Sequence, residues 1–154
     1  MIHTLRGKGY DVIGLFAGEC RDPQYMEKIQ KTIRQYGLEQ SVAFLGRRND
    51  IPDLLKLIDV LIIPSSFEGF PLAGLEAAAA GVPVATCNVA GAKEFIEVSG
   101  DGMCFPEGDI PEAVKAIERI NTGKKEFATC GMNFVAGMSN ADYMLKIREL
   151  FNKI

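Results

Sequence analysis

The chain has 154 residues, a length that suits one domain with its own core and is short for two. Charged residues make up 24% and hydrophobic residues 47% of the sequence, which is typical of a globular protein rather than a disordered or fibrous one. The net charge of -3 argues against nucleic acid or an anionic membrane as a partner, because both attract a concentrated basic face. We therefore expect a single domain over residues 1–154.

The cysteines and the apolar runs indicate the cellular compartment of the chain. The four cysteines show no Cys-x-x-Cys spacing, so we expect free thiols rather than a zinc site or a disulfide framework. The longest apolar run, LIDVLIIP, is interrupted by Asp59 and is far shorter than the roughly 20 residues of a membrane helix. The N-terminus lacks the apolar segment of a signal peptide. We expect a cytoplasmic chain without a membrane segment.

Five short runs with β-forming composition are separated by helical patterns. They are DVIGLFAG (11–18), SVAFLG (41–46), DVLIIPSS (59–66), VPVATC (82–87) and GMCF (102–105). Strands that alternate with helices favour a parallel sheet, because parallel neighbours need crossover connections. The expected fold is α/β, a Rossmann-like parallel sheet with helices on both faces, and ligands of such sheets bind beyond the carboxyl ends of the strands.

Helical patterns fill the spaces between these runs. In PQYMEKIQKTIRQYG (23–37) apolar residues recur close to every 3.6 residues, and Gly37 is placed to end the helix. Further helices are predicted at DIPDLLKLI (50–58) with Asp50 as N-cap, at DIPEAVKAIERIN (109–121), and at SNADYMLKIRELFNKI (139–154). The segment 121–138 has room for one short helix.

The segment from Ser65 to Val84, SSFEGFPLAGLEAAAAGVPV, lies at the carboxyl end of one predicted strand. The strand gives way to a tight loop, FEGF, and Pro71 stands where the next helix should have its first residue. The N-terminus of a helix exposes unpaired N–H groups, which favour an anion such as phosphate. Most of the affinity must come from these directed N–H groups, because the helix dipole contributes only about 0.3–1 kcal/mol at an exposed site.

Two glutamates interrupt this small and apolar segment. The carboxylate of Glu68, in the loop, can accept hydrogen bonds from ligand hydroxyl groups or can fold back to cap the helix. Glu76 lies in the helix among small residues, and its burial without partners would cost several kcal/mol. Three arrangements avoid this cost: the helix face that carries Glu76 opens into a water-filled cleft, the carboxylate is hydrogen-bonded to donors, or Glu76 is a solvated helix residue.

The string PSSFEGFPLAGLEAAAAGVPVATCNVAGAKEF resembles the donor-binding region of retaining glycosyltransferases of family 4, which have the GT-B fold. Their signature is a pair of glutamates separated by seven residues, and Glu68 and Glu76 fit that spacing. The EGF tripeptide, the continuation LEAAAAGVPV and the later PEGDIPEAV extend the match. The resemblance covers nearly the whole chain, as the C-terminal, nucleotide-sugar-binding domain of such an enzyme.

The resemblance implies roles for particular residues. Glu68, as catalytic residue, and the backbone around it would meet the sugar and diphosphate of the donor, while Glu76 would bind the ribose hydroxyls. The loop after the FLG run would lie near the nucleobase, where the arginines could equally be solvated, and Gly18 and Glu19 are weaker candidates for the same pocket. The implied donor-binding residues are Gly69, Phe70, Pro71, Leu72, Glu76, Gly46, Arg47 and Arg48.

The sequence also departs from the family pattern. The family has a strand before its first helix that carries a Gly-Arg pair and a lysine for the diphosphate. The N-terminal segment MIHTLRGKGYD aligns instead with that first helix and the following turn, so Arg6 and Lys8 should not be taken for the phosphate-binding pair. The first, central strand is thus expected to be missing, and either the chain is a truncated piece or the sheet closes around the gap.

The implied function is that of a donor domain. We expect it to bind a nucleotide-diphosphate sugar as part of a hexosyltransferase-type enzyme of polysaccharide, lipopolysaccharide or capsule biosynthesis. The expected enzyme needs no metal or other cofactor, and this chain is expected to be inactive alone because the N-terminal acceptor-binding domain is missing. The alternative is a non-catalytic or regulatory module that binds a nucleotide sugar.

Overall fold

The structure is a computed structural model that describes residues 1–138; the predicted helix at 139–154 lies outside the described residues. The elements in chain order are α1 (Ile2–Gly7), β1 (Gly14–Ala17), α2 (Pro23–Gln35), β2 (Val42–Gly46), α3 (Ile51–Leu55), β3 (Leu61–Ile63), α4 (Leu72–Ala79), β4 (Val84–Cys87), α5 (Ala90–Ser99), β5 (Gly102–Phe105), α6 (Ile110–Thr122) and α7 (Lys124–Ala136). The alternation of strands and helices confirms the α/β class.

The strands form two separate parallel sheets. One contains β1 and β2, and the other has the order β3-β4-β5. Within residues 1–138, neither β1 nor β3 has a second hydrogen-bonded neighbour. The chain also divides into two compact units, Met1–Ile51 and the part from Pro52 onward. The expected single sheet is therefore not continuous in the described residues.

The first unit has a well-formed backbone but little core. Asp22 caps α2 by accepting from the N–H groups of its first turn, and Gly37, at φ +61°, ends the helix with the N–H of Leu38 bonded to the carbonyl of Ile33 at 2.9 Å. No residue of α2 is buried. The sheet leaves the packed rings of Phe16 and Phe44 about half exposed.

The second unit has a dense core around its central strand. All four residues of β4 are buried, as expected for a parallel strand covered on both faces. The largest buried apolar side chains around it are those of Phe95, Ile120 and Val114. Asp109 caps α6 by accepting from the N–H of Glu112 at 2.9 Å, so the predicted start of this helix is confirmed.

Three helices differ from the sequence-based expectation. Residues 90–99, for which no helix is predicted from the sequence, form helix α5, and α7 is a full helix of 13 residues rather than a short one. Helix α4 begins at Leu72 and not at Pro71, because Pro71 has an extended backbone (φ -77°, ψ 96°) and occupies the N-cap. Asp50 precedes α3, but its carboxylate is engaged by Arg48.

No helix within residues 1–138 combines the length and the apolar character needed to cross a membrane.

Candidate functional site

The N-terminus of α4 lies just beyond the carboxyl end of β3, joined to it by the loop 64–71. The first helical hydrogen bond runs from the N–H of Leu75 to the carbonyl of Pro71, at 3.1 Å. The N–H groups of Leu72, Ala73 and Gly74 therefore precede the helical ladder. No side chain caps this end of the helix. It presents directed donors at the edge of the sheet where α/β folds bind ligands.

Glu68 lies in this loop and is half-buried. Its carboxylate makes no hydrogen bond or ion pair with the part of the chain that the structure describes, and it does not cap α4. The capping alternative is thus not the arrangement observed. The carboxylate remains available as an acceptor for hydroxyl groups.

The backbone of the same loop is anchored to α5. The N–H of Gly91 donates to the carbonyl oxygen of Glu68 at 3.2 Å. The ring of Phe70 meets the ring of Phe95 edge to face, with centroids 5.9 Å apart. Residues 68 to 70 are therefore held from one side by a packed helix.

Glu76 is exposed on α4. Leu72, one turn before it, and Ala79, nearly one turn after it, are exposed on the same side, whereas Ala77 and Ala78 are buried on the other. The desolvation cost considered for Glu76 therefore does not arise. The carboxylate faces open space beside small side chains, where both a ligand role and simple solvation are physically possible.

The remaining loop residues differ in accessibility. Gly69 is exposed, Phe70 and Leu72 expose part of their apolar surface, and Pro71 is buried. Phe67, which sequence reasoning did not single out, is 88% exposed next to Glu68. The only signal for it was an aromatic residue inside a loop of small and polar residues.

The other predicted binding residues belong to the first unit. Gly46 ends β2 at φ +62°, and its carbonyl accepts the N–H of Gly18 at 2.8 Å, which fastens the ends of β1 and β2 together. Beyond this junction, Arg47, Glu19 and Arg21 line a shallow, polar pocket of about 280 Å³. The structure thus brings Arg47 and Glu19 together, as members of one pocket.

Arg48 is held differently from Arg47. Its guanidinium forms a two-pronged ion pair with Asp50, with Nε 2.8 Å from Oδ1 and Nη2 2.5 Å from Oδ2. Hydrogen bonding within this pair raises the pKa of Arg48 and lowers that of Asp50. A ligand would have to compete with Asp50 for this guanidinium, whereas Arg47 has no such partner in the described residues.

The four cysteines are free, as predicted, and burial raises the pKa of the Cys87 thiol, which makes it a poor nucleophile. Among residues 1–138, no group of three His, Cys, Asp or Glu side chains is arranged to hold a metal ion. The expectation that no metal takes part stays a prediction.

One buried acid was not singled out from the sequence. Asp101 precedes β5 and is fully buried, and neither of its carboxylate oxygens has a hydrogen-bond partner in the described residues. Burial raises the pKa of Asp101 to about 8. Its backbone carbonyl accepts the N–H of Val84 at the amino end of β4, which is the edge of the sheet opposite the Glu68 loop. Asp101 is therefore not part of the candidate site.

Comparisons with known proteins agree on one family. Residues 2–133 match the model of the family described as "Glycosyl transferases group 1". A UDP-Gal:α-D-GlcNAc-diphosphoundecaprenol α-1,3-galactosyltransferase of Escherichia coli is 33% identical over 117 residues, which are 74% of this chain and 30% of that protein. The lipopolysaccharide core biosynthesis mannosyltransferase LpsB of Rhizobium meliloti is 26% identical over 81% of this chain and 37% of that protein. The chain thus spans about a third of the length of these relatives.

Solved structures agree on the fold. The Anabaena protein Alr3699/HepE in complex with UDP superposes with a TM-score of 0.81 at 25% identity, over 99% of this chain and 44% of that one. Staphylococcus aureus TarM superposes with a TM-score of 0.84 at 22% identity, over 98% of this chain and 31% of that one. At this identity the match shows only that the two proteins share a fold. The neighbours are glycosyltransferases of the GT-B type. Together with the family match over residues 2–133, this establishes that the chain belongs to the glycosyl transferases group 1 family.

Proposed function

We propose that this chain is the donor domain of a retaining glycosyltransferase of family 4 and that it binds a nucleotide-diphosphate sugar. One observation carries the proposal: the uncapped N-terminus of α4 and the unpaired carboxylate of Glu68 lie together at the carboxyl end of β3. The Anabaena relative was solved with UDP and with UDP-glucose, which supports a sugar nucleotide as the ligand class. The names of the relatives favour polysaccharide or lipopolysaccharide biosynthesis as its setting.

The two ends of the donor make different chemical demands. A diphosphate needs N–H donors and positive potential, which the first turn of α4 supplies through Leu72, Ala73 and Gly74. Pro71 lacks an N–H and contributes shape only. Sugar and ribose hydroxyls need acceptors, and the carboxylates of Glu68 and Glu76 are suited to them. We assign Glu68, the catalytic residue of the site, to the sugar and Glu76 to the ribose.

Gly46, Arg47 and Arg48 are proposed to serve the nucleobase, through the main chain after β2. The pocket of Arg47 and Glu19 supports a polar ligand at this end of the first unit. The Arg48 side chain is paired with Asp50, so Arg48 would contact the nucleobase only through its backbone.

The proposed reaction relies on positioning and on stabilising negative charge on the departing diphosphate, without a metal. The acceptor would be supplied by a second, N-terminal domain outside this chain. We therefore propose that the chain by itself recognises the donor and transfers nothing.

Calorimetric titration of the 154-residue chain with UDP, GDP and ADP tests the donor site. We expect one of these nucleotides to bind, and Glu76→Ala to weaken its binding about ten-fold or more, the cost of losing hydrogen bonds to a charged group. Glu126→Ala, which removes an exposed carboxylate from the helix α7, is the matched control and should bind as the unchanged chain does. Absence of binding at millimolar concentration would refute the donor site, and full affinity in Glu76→Ala would remove the ribose assignment.

A further inference from the structure

Two residues of α5 touch the loop that carries Glu68, and they lie on the same face of the helix. Gly91 and Phe95 are four residues apart, so their positions are one helical turn from each other. Both are buried. Gly91 meets the backbone at residues 68 and 69, and Phe95 meets the next side chain, Phe70. This face of α5 therefore packs against the loop and supports it.

The contact at Gly91 leaves no space for a side chain. A Cβ atom there would overlap the carbonyl oxygen of Gly69 and would stand 2.7 Å from that of Glu68. The backbone of Gly91 does not have a positive φ, so its conformation does not require glycine. Glycine inside a helix is less stabilising than alanine, so its presence here needs another reason. The close approach of the loop is the physical reason for glycine at this position.

Phe95 contacts α4 as well as the loop. Phe95 is fully buried, with its ring edge to face with that of Phe70, and a Cβ atom on Gly74 would lie 3.1 Å from the same ring. On its other side the ring meets Phe134 of α7, with centroids 6.2 Å apart. Phe95 thus packs against Phe134 of α7 and the start of α4, as well as against the loop through Phe70.

We infer that Gly91 and Phe95 are positioning residues that set the direction of the Glu68 carboxylate toward the donor sugar. The inference rests on the proposed function of the Glu68 loop. The Glu68 side chain has no partner of its own in the described residues, so its direction depends on the backbone that carries it. That backbone is fixed by the hydrogen bond and the close contact at Gly91. A misplacement of about 1 Å can cost a site about 100-fold in rate.

The test compares three glycine-to-alanine variants of the chain. In Gly91→Ala the added methyl must push the loop away. In Gly131→Ala the methyl overlaps the Asp101 carboxylate instead, so this variant introduces an overlap in the second unit that does not involve the loop. In Gly7→Ala the methyl meets nothing within 4 Å. Phe95→Leu, which removes the ring contact with Phe70, replaces Gly91→Ala if that variant does not fold.

The first readout needs no ligand. Amide resonances of residues 68–70 are compared by NMR at a temperature where circular dichroism shows every variant folded. We expect them to shift in Gly91→Ala and to stay in place in Gly131→Ala and Gly7→Ala. Unchanged resonances in Gly91→Ala would overturn the inference.

The second readout is a double-mutant cycle with Glu68→Gln, using UDP-glucose as the titrant. Gly91→Ala should weaken binding about ten-fold in the unchanged chain and less than about threefold in the Glu68→Gln chain, because residues that act through one contact are not additive. Equal losses in both backgrounds would overturn the inference. If the unchanged chain binds no UDP-glucose, the proposed function is at fault for this donor, and the amide resonances alone decide the positioning role.

Discussion

The Asp101 carboxylate lies directly against Gly131, so that a Cβ atom on Gly131 would overlap Oδ1 of the acid. The contact joins the start of β5 to the middle of α7. It leaves a fully buried carboxyl group without a hydrogen-bond partner in the described residues. Such a group is tolerated best in its neutral form, because an unpaired buried charge costs far more than a buried neutral acid.

The raised pKa of Asp101 predicts a dependence of stability on pH. Below the ordinary value of 3.8 the acid is protonated in both the folded and the unfolded chain. As the pH rises, the unfolded chain releases the proton first, so the free energy of unfolding falls until the pH passes the folded pKa of about 8. We expect the free energy of unfolding to fall by at most about 1.4 kcal/mol for each pH unit between pH 5 and pH 8, where only the unfolded chain has released this proton.

Asp101→Asn isolates this effect. The amide cannot ionise, so the variant should gain stability relative to the unchanged chain at pH 8 and gain little at pH 4, as measured by urea unfolding at both values. Asp53→Asn, at an exposed carboxylate paired with Lys56, is the control. An Asp101→Asn curve parallel to that of the unchanged chain over this range would show that Asp101 is ionised in the fold.

Gly131→Ala tests the packing of α7. Overpacking a tight contact costs about 1–3 kcal/mol, although alanine is the better helix former. We therefore expect Gly131→Ala to lower the urea midpoint, whereas Gly7→Ala, with free space around it, should leave it unchanged or slightly higher. A Gly131→Ala variant as stable as the unchanged chain would mean that α7 does not press on Asp101 in solution.

Much of the fold could be read from local patterns. The five β runs are confirmed, and so are the helices α2 and α6, each of which has a capping residue and a regular apolar period in its sequence. Helix α5 was not predicted from the sequence, because Val89 at its N-cap offers no side-chain acceptor and small residues interrupt its apolar period. The separation of the strands into two sheets is a matter of long-range pairing, which no local pattern encodes.

Some residues of the candidate site could likewise be identified from the sequence, and others could not. The paired glutamates were visible because their spacing and the loop before α4 are contiguous in sequence. Gly91 and Phe95 were not, because each matters only through a contact with a segment about 20 residues earlier. Asp101 gave no signal either, since an aspartate before a strand is usually solvated and its contact with Gly131 of α7 is a long-range one.

The two units should differ in local stability. Few side chains of the first unit are buried, chiefly Leu5 and Leu38, whereas the central strand β4 of the second is buried throughout. Regions with few buried apolar contacts open more readily. We expect the amides of β1 and β2 to exchange with deuterium at least about ten-fold faster than those of β4 under conditions of native-state exchange. Equal protection in the two sheets would contradict this expectation and would indicate one cooperative unit.

The last prediction separates recognition from transfer. If the acceptor is bound by a second domain outside this chain, as proposed, the chain should bind a nucleotide sugar and still release no sugar, because positioning the acceptor accounts for several kcal/mol of the barrier in such reactions. Incubation with UDP-glucose, followed by measurement of released UDP, should give the rate of the buffer alone, while a full-length member of the family serves as the positive control. Release of UDP above that rate, abolished by Glu68→Gln, would show that the donor domain catalyses cleavage by itself. The N–H groups of α4 would then stabilise the departing diphosphate without an acceptor domain.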